Sequence, residues 1–394
     1  MHGHEREVAV RLDSVEVAVV ESGSPGDNRE RFAVVIVHAE NGQWGHAEAA
    51  AAPEAVRSYL FARHQDDWDS GPLDVLREMD AHDPAATWTS LQAHTFWSAR
   101  SGLGYVALAA LDTALWDLAG RLNDQPTWRL AVGDGEPKAI DAYATLYHGA
   151  ADLDTTVAFI RRDAERATSM GFRAVKVEAM PENSSSASDI AVLVRAAREA
   201  VGPHVDLMLD VGYRWTSHIE ALRVLELVAD CNLRFLEAPF QPSLTQEYAK
   251  LVDRSAVQIA SGDMLTAPSD FMGLLEAGVP IVQAGVARTG YSGLLQLSAT
   301  AMSFGAQLVP WGFAGTTVAA AGNLHASIAS GAVALIECAP PALYPGQTMR
   351  RELGQPEPSL DAHGRLVPPD LPGMGVTLNR SALNRFPTEL RGIV

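Results

Sequence analysis

The sequence predicts an α/β protein in which a barrel of alternating strands and helices follows a smaller N-terminal α+β domain. From Lys138 onward, eight short apolar runs alternate with amphipathic helical segments at intervals of about 25 to 35 residues. Before that point, a strand–turn–strand pattern is followed by helical patterns. The length of 394 residues also suits one large barrel plus a smaller domain better than a single compact core.

The first domain begins with a pattern typical of a β-meander. Residues 7–20 alternate apolar and polar side chains, which predicts a strand, and residues 21–31 are polar and rich in turn formers. A second strand is predicted over Phe32–His38, followed by the hairpin pair Asn41-Gly42. Trp44–Ala50 is then the returning strand of this small sheet.

Helical periodicity follows the meander and then gives way to the barrel rhythm. Leucines recur at helical spacing over Tyr105–Arg121, and Asp189–Val201 is typical of the later helices between strands. The predicted barrel strands are 139–146, 174–178, 205–210, 233–237, 257–261, 280–283, 307–310 and 332–337. A doubly wound open sheet would also alternate, but it often carries a glycine-rich phosphate loop, which is not found here.

The chain changes character again after Glu337, where prolines and turn residues become frequent. We expect this segment to leave the barrel and pack on the first domain. The predicted division is therefore a capping domain over residues 1–135, a barrel over 136–340 and a C-terminal segment over 341–394.

Composition excludes several classes of function. Apolar residues make up 47% and charged residues 20%, which is ordinary for a globular domain. The net charge of −18 argues against nucleic acid or an anionic membrane surface as a partner. No uncharged apolar stretch is long enough to span a membrane, and the N-terminus lacks a signal-peptide core. With only Cys231 and Cys338 as cysteines, we expect a reducing compartment and a cytoplasmic location.

Three consecutive barrel strands end in an acidic residue. Asp210 and Glu237 close the third and fourth strands, and Asp263 follows the fifth. The carboxyl ends of barrel strands form the active site of such folds, so these side chains should converge. They would repel one another unless a hard cation such as Mg²⁺ bound between them. The alternative for any one of them is a helix N-cap.

The second barrel strand carries Lys176 and Glu178, which alternation places on the same side of the strand. Buried at a strand end, both groups are costly unless they pair or act. They are therefore either a structural ion pair or the predicted catalytic residues.

Five segments, in the right order and over nearly the whole chain, resemble the mandelate racemase and muconate-lactonising branch of the enolase superfamily. They are Ala109–Gly120, Gly171–Lys176, Phe235–Phe240, Gly262-Asp263 and the proline- and glycine-rich segment Asp361–Gly375. The resemblance implies a modified TIM (β/α)₇β barrel with an N-terminal α+β capping domain completed by the C-terminal segment.

The same resemblance implies a site and a chemistry. Asp210, Glu237 and Asp263 would bind Mg²⁺, and the family's shared step is abstraction of a proton next to a carboxylate. Residues 21–31 and the segment after Glu48 would close over a small-molecule carboxylate substrate. A homo-oligomer, a dimer or an octamer, would also be typical of the family.

The catalytic positions depart from the family pattern. Glu178 stands where the second lysine of the strand-two motif is usual, and Gly212 stands where an asparagine is usual. Gly285 replaces the strand-six aspartate or lysine, and Trp311 replaces the strand-seven histidine. Racemisation needs an acid/base group on each face of the carbon. A typical racemase is therefore not expected unless His148 or Tyr213 supplies the missing group.

Charge adds a constraint, because an ionised Glu178 in place of a lysine disfavours an anionic substrate in a pocket of low dielectric constant. Glu178 could be protonated, the substrate could carry a cationic group, or the chemistry could be lost. If Glu178 or Lys176 is the base, proton transfer would occur on one face only. Trp311 would then wall the opposite face, and Tyr143, His148, Tyr213 and Trp311 are the predicted substrate-binding residues.

Three hypotheses follow. The first is a Mg²⁺-dependent lyase, a dehydratase-like enzyme acting on a hydroxy or sugar acid. The second is an isomerase or epimerase acting on an amino-acid-like or zwitterionic carboxylate. The third is a metal-binding barrel that has lost catalysis and keeps a binding or regulatory role.

Overall fold

The structure is a computed structural model. It describes residues 9–21, 31–63, 70–133, 135–146, 152–312, 316–340, 342–343, 352–385 and 389–393. The predicted polar stretch after the first strand therefore lies mostly outside the described residues, and so does His148.

The N-terminal part is built on an antiparallel sheet of β1 (Leu12–Glu21), β2 (Arg31–Ala39) and β3 (Trp44–Ala49). A fourth strand, β15 (Glu389–Ile393), comes from the far end of the chain and pairs with β1. The C-terminal segment thus completes the capping domain, as predicted. The first helices are α1 (Pro53–Leu60), α2 (Pro72–Leu76), α3 (Pro84–His94), α4 (Gly102–Leu122) and α5 (Thr127–Val132).

Helix α4 is the joint between the capping domain and the barrel, and it is buried from Tyr105 to Gly120. A helix that is apolar on all sides has to be enclosed by structure. Its buried Asp117 accepts hydrogen bonds from the backbone amides of His46 at 3.0 Å and Met374 at 2.7 Å. Arg121 donates to the same carboxylate at 2.9 Å. One side chain therefore ties α4 to both β3 and the C-terminal segment.

Eight parallel strands form the barrel, in chain order around the sheet. They are β4 (Ile140–Leu146), β5 (Ala174–Glu178), β6 (Asp206–Asp210), β7 (Leu233–Glu237), β8 (Gln258–Ser261), β9 (Ile281–Val282), β10 (Gln307–Leu308) and β11 (Leu335–Cys338). The last strand pairs with the first, and the Glu337 amide donates to the Pro310 carbonyl at 3.0 Å beyond β10. These contacts close the sheet.

Helices follow the first seven barrel strands, which gives the (β/α)₇β arrangement. They are α6 (Leu153–Ser169), α7 (Ala187–Val201), α8 (His218–Leu227), α9 (Thr245–Arg254), α10 (Met272–Glu276), α11 (Val286–Thr289), α12 (Tyr291–Ser303) and α13 (Thr317–Ser330). Helix α7 shows how these helices begin: the Ser186 hydroxyl and the Asp189 carboxylate each accept the other residue's backbone amide. Across the described residues, we find no helix with the length and apolar character needed to cross a membrane.

The barrel interior is filled by side chains, one from each strand or its end. These residues are Tyr143, Ala174, Met208, Phe235, Ala260, Ile281, Val309 and Leu335. The barrel interior is thus a packed core, and the place for an active site is at the carboxyl ends of the strands.

The chain after the barrel forms short elements that join the two parts. These are β12 (Gly354–Gln355), β13 (Arg365–Leu366), β14 (Thr377–Leu378) and α14 (Arg380–Arg385). Strand β13 pairs with β4 of the barrel, and the Gly373 carbonyl accepts the Thr127 amide at 2.8 Å. The segment therefore packs on both the barrel and the capping domain.

Candidate active site

Strand register brings the predicted acidic residues to one end of the barrel. Glu178 on β5 lies beside Asp210 on β6, and Asp210 lies beside Glu237 on β7. Asp263 follows β8 by two residues, after Gly262 at a φ of 119°. That left-handed conformation favours glycine and lets the chain turn sharply at the strand end. The parallel barrel thus converts sequence positions far apart into one cluster.

Lys176 is the cation at the centre of this cluster. Its Nζ lies 2.9 and 3.0 Å from the two carboxylate oxygens of Glu237. It also lies 3.2 Å from Glu337 and 3.8 Å from Asp210. Only 2% of Lys176 is exposed, so this single buried ammonium group balances several carboxylates.

Glu337, which the sequence analysis did not single out, is a further member of the cluster. It lies on β11, is buried, and accepts hydrogen bonds from the Thr145 hydroxyl and, at 2.8 Å, from the Gly312 amide. The only sequence signal was that the eighth predicted strand also ends in an acidic residue. Its closeness to Lys176 arises because closure of the barrel brings β11 next to β4, one strand away from β5.

The ionisation of the cluster follows from burial and mutual repulsion. Burial, reinforced by Asp210, raises the pKa of Glu178 well above its usual value. Burial also raises the pKa of Glu237, to about 8. Burial alone would lower the pKa of Lys176, but Glu237 and Glu337 hold it well above its usual value. Burial disfavours the charge of Glu337 as well, yet Lys176 and the two hydrogen bonds lower its pKa.

The donor set at the strand ends fits a hard divalent cation. Asp210, Glu237 and Asp263 offer carboxylate oxygens, the ligand type that Mg²⁺ prefers. A buried Oδ1 of Asp263 has no hydrogen-bond partner among the described residues. Burial raises the pKa of both Asp210 and Asp263, a cost that a bound cation would relieve. Within the described chain, no three His, Cys, Asp or Glu side chains are placed so that they could hold a metal ion without rearrangement. Lys176 takes up the Glu237 oxygens instead.

Backbone strain surrounds these strand ends. Tyr213 and Ala238, which follow β6 and β7, have φ angles of 58° and 49°. Such non-glycine residues in the left-handed region cluster at functional sites. The Tyr213 hydroxyl is buried and has no hydrogen-bond partner within the described chain. At Gly212, with φ at 60°, an added Cβ would lie 2.5 Å from the Met180 sulfur, so glycine fits where asparagine is usual.

Gly285 and Trp311 fill one space. A Cβ on Gly285 would lie 2.9 Å from the Trp311 carbonyl oxygen and 3.2 Å from its indole ring. Asn323 holds this arrangement by donating to the Trp311 carbonyl and accepting from the Val286 amide, both at 2.8 Å. The two departures from the family pattern therefore depend on each other: Trp311 occupies the space that a side chain at position 285 would need, on the side of the site opposite β5.

A cavity of about 430 Å³ opens between the capping domain and this side of the barrel. Arg31, Glu48 and the segment Ala50–Pro53 line it from the capping domain. Arg288 and Trp311 line it from the barrel. It adjoins the carboxylate cluster at Gly312, whose amide binds Glu337.

The remaining predicted substrate-binding residue of the described chain is Tyr143, which is fully buried inside the barrel. Lys176 Nζ lies 5.3 Å from the centre of its ring, and its hydroxyl has no partner among the residues described. This position beneath the lysine suits support of Lys176 better than contact with a substrate. Arg288, in contrast, lies at the cavity, and nothing in the sequence indicated it.

Family comparisons agree with this architecture. Residues 6–131 match the family model described as mandelate racemase / muconate lactonizing enzyme, N-terminal domain. Residues 160–382 match the one described as enolase C-terminal domain-like. The solved structure of a candidate racemase superposes with a TM-score of 0.88 at 26% identity, covering 98% of this chain and 100% of that one.

Curated relatives are enzymes. A 3,6-anhydro-α-L-galactonate cycloisomerase of Streptomyces coelicolor is 28% identical over 315 residues, which are 78% of this chain and 79% of that protein. An arabinonate dehydratase of Saccharolobus solfataricus is 26% identical over 303 residues, 76% of this chain and 77% of that protein. These relatives support an enzyme of the lyase or isomerase class.

Proposed function

Because the chain belongs to the mandelate racemase and muconate lactonizing enzyme family of the enolase superfamily, we propose that it is a Mg²⁺-dependent lyase. It would act as a dehydratase-like enzyme on a hydroxy or sugar acid and begin by removing the proton next to the carboxylate. The observation that carries this proposal is the buried cluster of Lys176 with Glu178 and the strand-end carboxylates.

Asp210, Glu237 and Asp263 are the residues that would hold the metal. When bound, Mg²⁺ supplies positive charge against the negative charge that develops on a carboxylate substrate as its α-proton leaves. The ammonium group of Lys176, which Glu237 and Glu337 hold in place, would stabilise the same negative charge on the substrate. Fixed charges of this kind need no reorganisation during the reaction.

Glu178 is the better base of the two predicted catalytic residues. The pKa of Lys176 is raised by its carboxylate neighbours, so this side chain stays protonated and lacks a free electron pair. The pKa of Glu178 is raised by burial and by Asp210, which makes the ionised carboxylate a stronger base than one in water.

Proton transfer would take place on the β5 face alone. Gly285 has no side chain and Trp311 has no acid/base group, so these two positions offer no partner on the opposite face. In a dehydration, Glu178 takes the α-proton, a carbon–carbon double bond forms, and the β carbon–oxygen bond breaks. Glu178 can then return the proton to the departing oxygen, which leaves as water.

An isomerase is the second candidate, and a cycloisomerase among the relatives favours it. A version acting on an amino-acid-like or zwitterionic carboxylate is favoured by the charge of the cluster, in which carboxylates outnumber Lys176. In a one-face isomerisation, Glu178 would take the α-proton while a carbon–carbon double bond forms and a β carbon–oxygen bond within a ring breaks. Glu178 would then return the proton to that ring oxygen, so that no water is lost.

The test is proton NMR in D₂O with Mg²⁺ and pools of sugar acids, hydroxy acids, amino acids and betaines, beside an EDTA control. Loss of one α-proton signal would identify the substrate class, and a product signal would separate lyase from isomerase. Glu178→Gln should slow the exchange by about 10²- to 10⁴-fold. Glu182→Gln, which alters an exposed carboxylate nearby, is the matched control.

Lys176→Met tests the second role, in which the lysine stabilises negative charge while Glu178 acts as the base. It should reduce exchange while unbalancing the cluster, so its fold is checked by circular dichroism. A different outcome is that Mg²⁺ binds, no substrate pool loses an α-proton signal, and Glu178→Gln gives the same spectra as the wild-type protein. The third hypothesis, a metal-binding barrel that has lost catalysis, then replaces this proposal.

A further inference from the structure

We propose that Arg288 binds the substrate carboxylate and thereby selects monocarboxylic acids whose remaining body is uncharged. This rests on the proposed function and names its substrate class. Arg288 lies on α11, just after the strand whose usual acid/base residue is replaced by Gly285.

The Arg288 guanidinium interacts electrostatically with Asp263, yet the described residues leave one of its buried donors without a hydrogen-bond partner. It is partly buried and lies 5.7 Å from the centre of the Trp311 ring. Its buried Nε has no hydrogen-bond partner among the described residues. Burying a charged donor without a partner costs free energy unless a ligand supplies one. A carboxylate is the group that pairs best with a guanidinium, because two parallel hydrogen bonds form.

Arg288 stands between the carboxylate cluster and the cavity. On one side it interacts electrostatically with Asp263 at the end of β8. On the other it lines the cavity together with Trp311. A substrate whose carboxylate faces the cluster and whose body occupies the cavity would pass this guanidinium. Arg288 thus supplies a positive charge to a site in which Glu178 stands on β5 where the family usually has a second lysine.

The rest of the cavity argues for a single negative charge on the substrate. Glu48 lines it as a buried carboxylate and already accepts the Thr316 amide at 2.7 Å. Arg31 is engaged by Glu54 at 2.6 Å. A second substrate carboxylate in this part of the cavity would therefore be repelled by Glu48, while the nearby cation Arg31 is already paired with Glu54. Most other lining residues are apolar, among them Phe32, Ala50, Pro53, Ala287 and Ala319.

The test is calorimetric binding in the presence of Mg²⁺, using five- and six-carbon aldonates against aldarates of the same carbon skeleton. Wild-type protein should bind an aldonate more tightly than its aldarate. Arg288→Gln should weaken aldonate binding by about 10- to 100-fold, as expected for loss of a charged hydrogen bond. Arg288→Lys should keep part of the affinity, because it keeps the charge and loses the paired geometry.

Arg223→Gln is the matched control, since it removes an exposed arginine on α8 that does not line the cavity, and it should change binding little. Thermal unfolding of each variant shows whether it is folded; if Arg288→Gln is not, Arg288→Lys decides. An unchanged affinity in the Arg288 variants, tighter binding of aldarates, or no aldonate binding at all overturns the inference. Arg288-dependent binding without α-proton exchange would instead overturn the proposed function alone.

Discussion

At the residue scale, Gly285 and Trp311 must be exchanged together because each limits the size of the other. Gly285→Asp should destabilise the protein by about 1–3 kcal/mol, since its Cβ would press on the Trp311 carbonyl and ring. Trp311→His in the same chain should recover part of this loss by removing the indole. A double-mutant cycle of unfolding in urea measures the coupling.

Gly285→Ala is the matched control for this cycle. It adds the same Cβ without a charge, so a similar but smaller loss is expected. Strictly additive losses in the double variant would show that the indole does not occupy the space that the aspartate needs.

Single residues were predictable where their position on a strand decides their place. Asp210 and Glu237 close their strands, and any barrel with these strands in order brings their side chains together. Arg288 could not be found in this way. Its place beside Trp311 depends on how a four-residue helix packs against the end of β10, which no local pattern encodes.

At the element scale, α4 and α12 are joined by a buried carboxyl group. Asp112 accepts hydrogen bonds from the Ser292 amide at 2.8 Å and from its hydroxyl at 2.6 Å. That hydroxyl in turn accepts from the Trp116 indole at 2.8 Å. Periodicity predicted α4, yet it could not show that this acidic residue faces a barrel helix, because α4 is enclosed on every side.

This joint should make stability depend on pH. Burial raises the pKa of Asp112 to about 7 in the folded protein. The folded state therefore holds the proton more tightly, and the free energy of unfolding falls as pH rises from about 4 to about 7. Asp112→Asn should remove this contribution, about 1.4 kcal/mol per pH unit at most. Urea unfolding at several pH values measures the slope.

The exposed Asp154→Asn on α6 is the control for the pH series. If Asp112→Asn and wild-type protein lose stability in parallel across this range, the joint does not carry the pH dependence.

At the scale of the whole molecule, the barrel end holds more buried carboxyl groups than buried cations, and ionising all of them requires additional positive charge. Glu178, Asp210, Glu237 and Glu337 surround the single ammonium of Lys176. A divalent cation that binds only the folded state should stabilise it, by about 2.7 kcal/mol at a hundredfold excess over its dissociation constant. Mg²⁺ should therefore raise the unfolding temperature, and EDTA should reverse the effect.

Variants locate the source of this stabilisation. Asp263→Asn should reduce the response to Mg²⁺, whereas Asp253→Asn, an exposed change on α9, should keep it. An equal response in both variants would place the cation elsewhere on this acidic protein.

The sequence by itself determined the order of strands and helices, the capping domain with its returning C-terminal segment, and the acidic strand ends. The strands and helices follow from short-range periodicity, and the returning segment was expected from its prolines and turn residues and from the family resemblance. The predicted fold class is confirmed by the structure and by the family matches. Only the tertiary structure decided which groups meet: Glu337 with Lys176, Gly285 with Trp311, and Arg288 with the cavity. The physical reason is that such contacts depend on closure of the barrel and on burial between distant segments, and local sequence patterns specify neither.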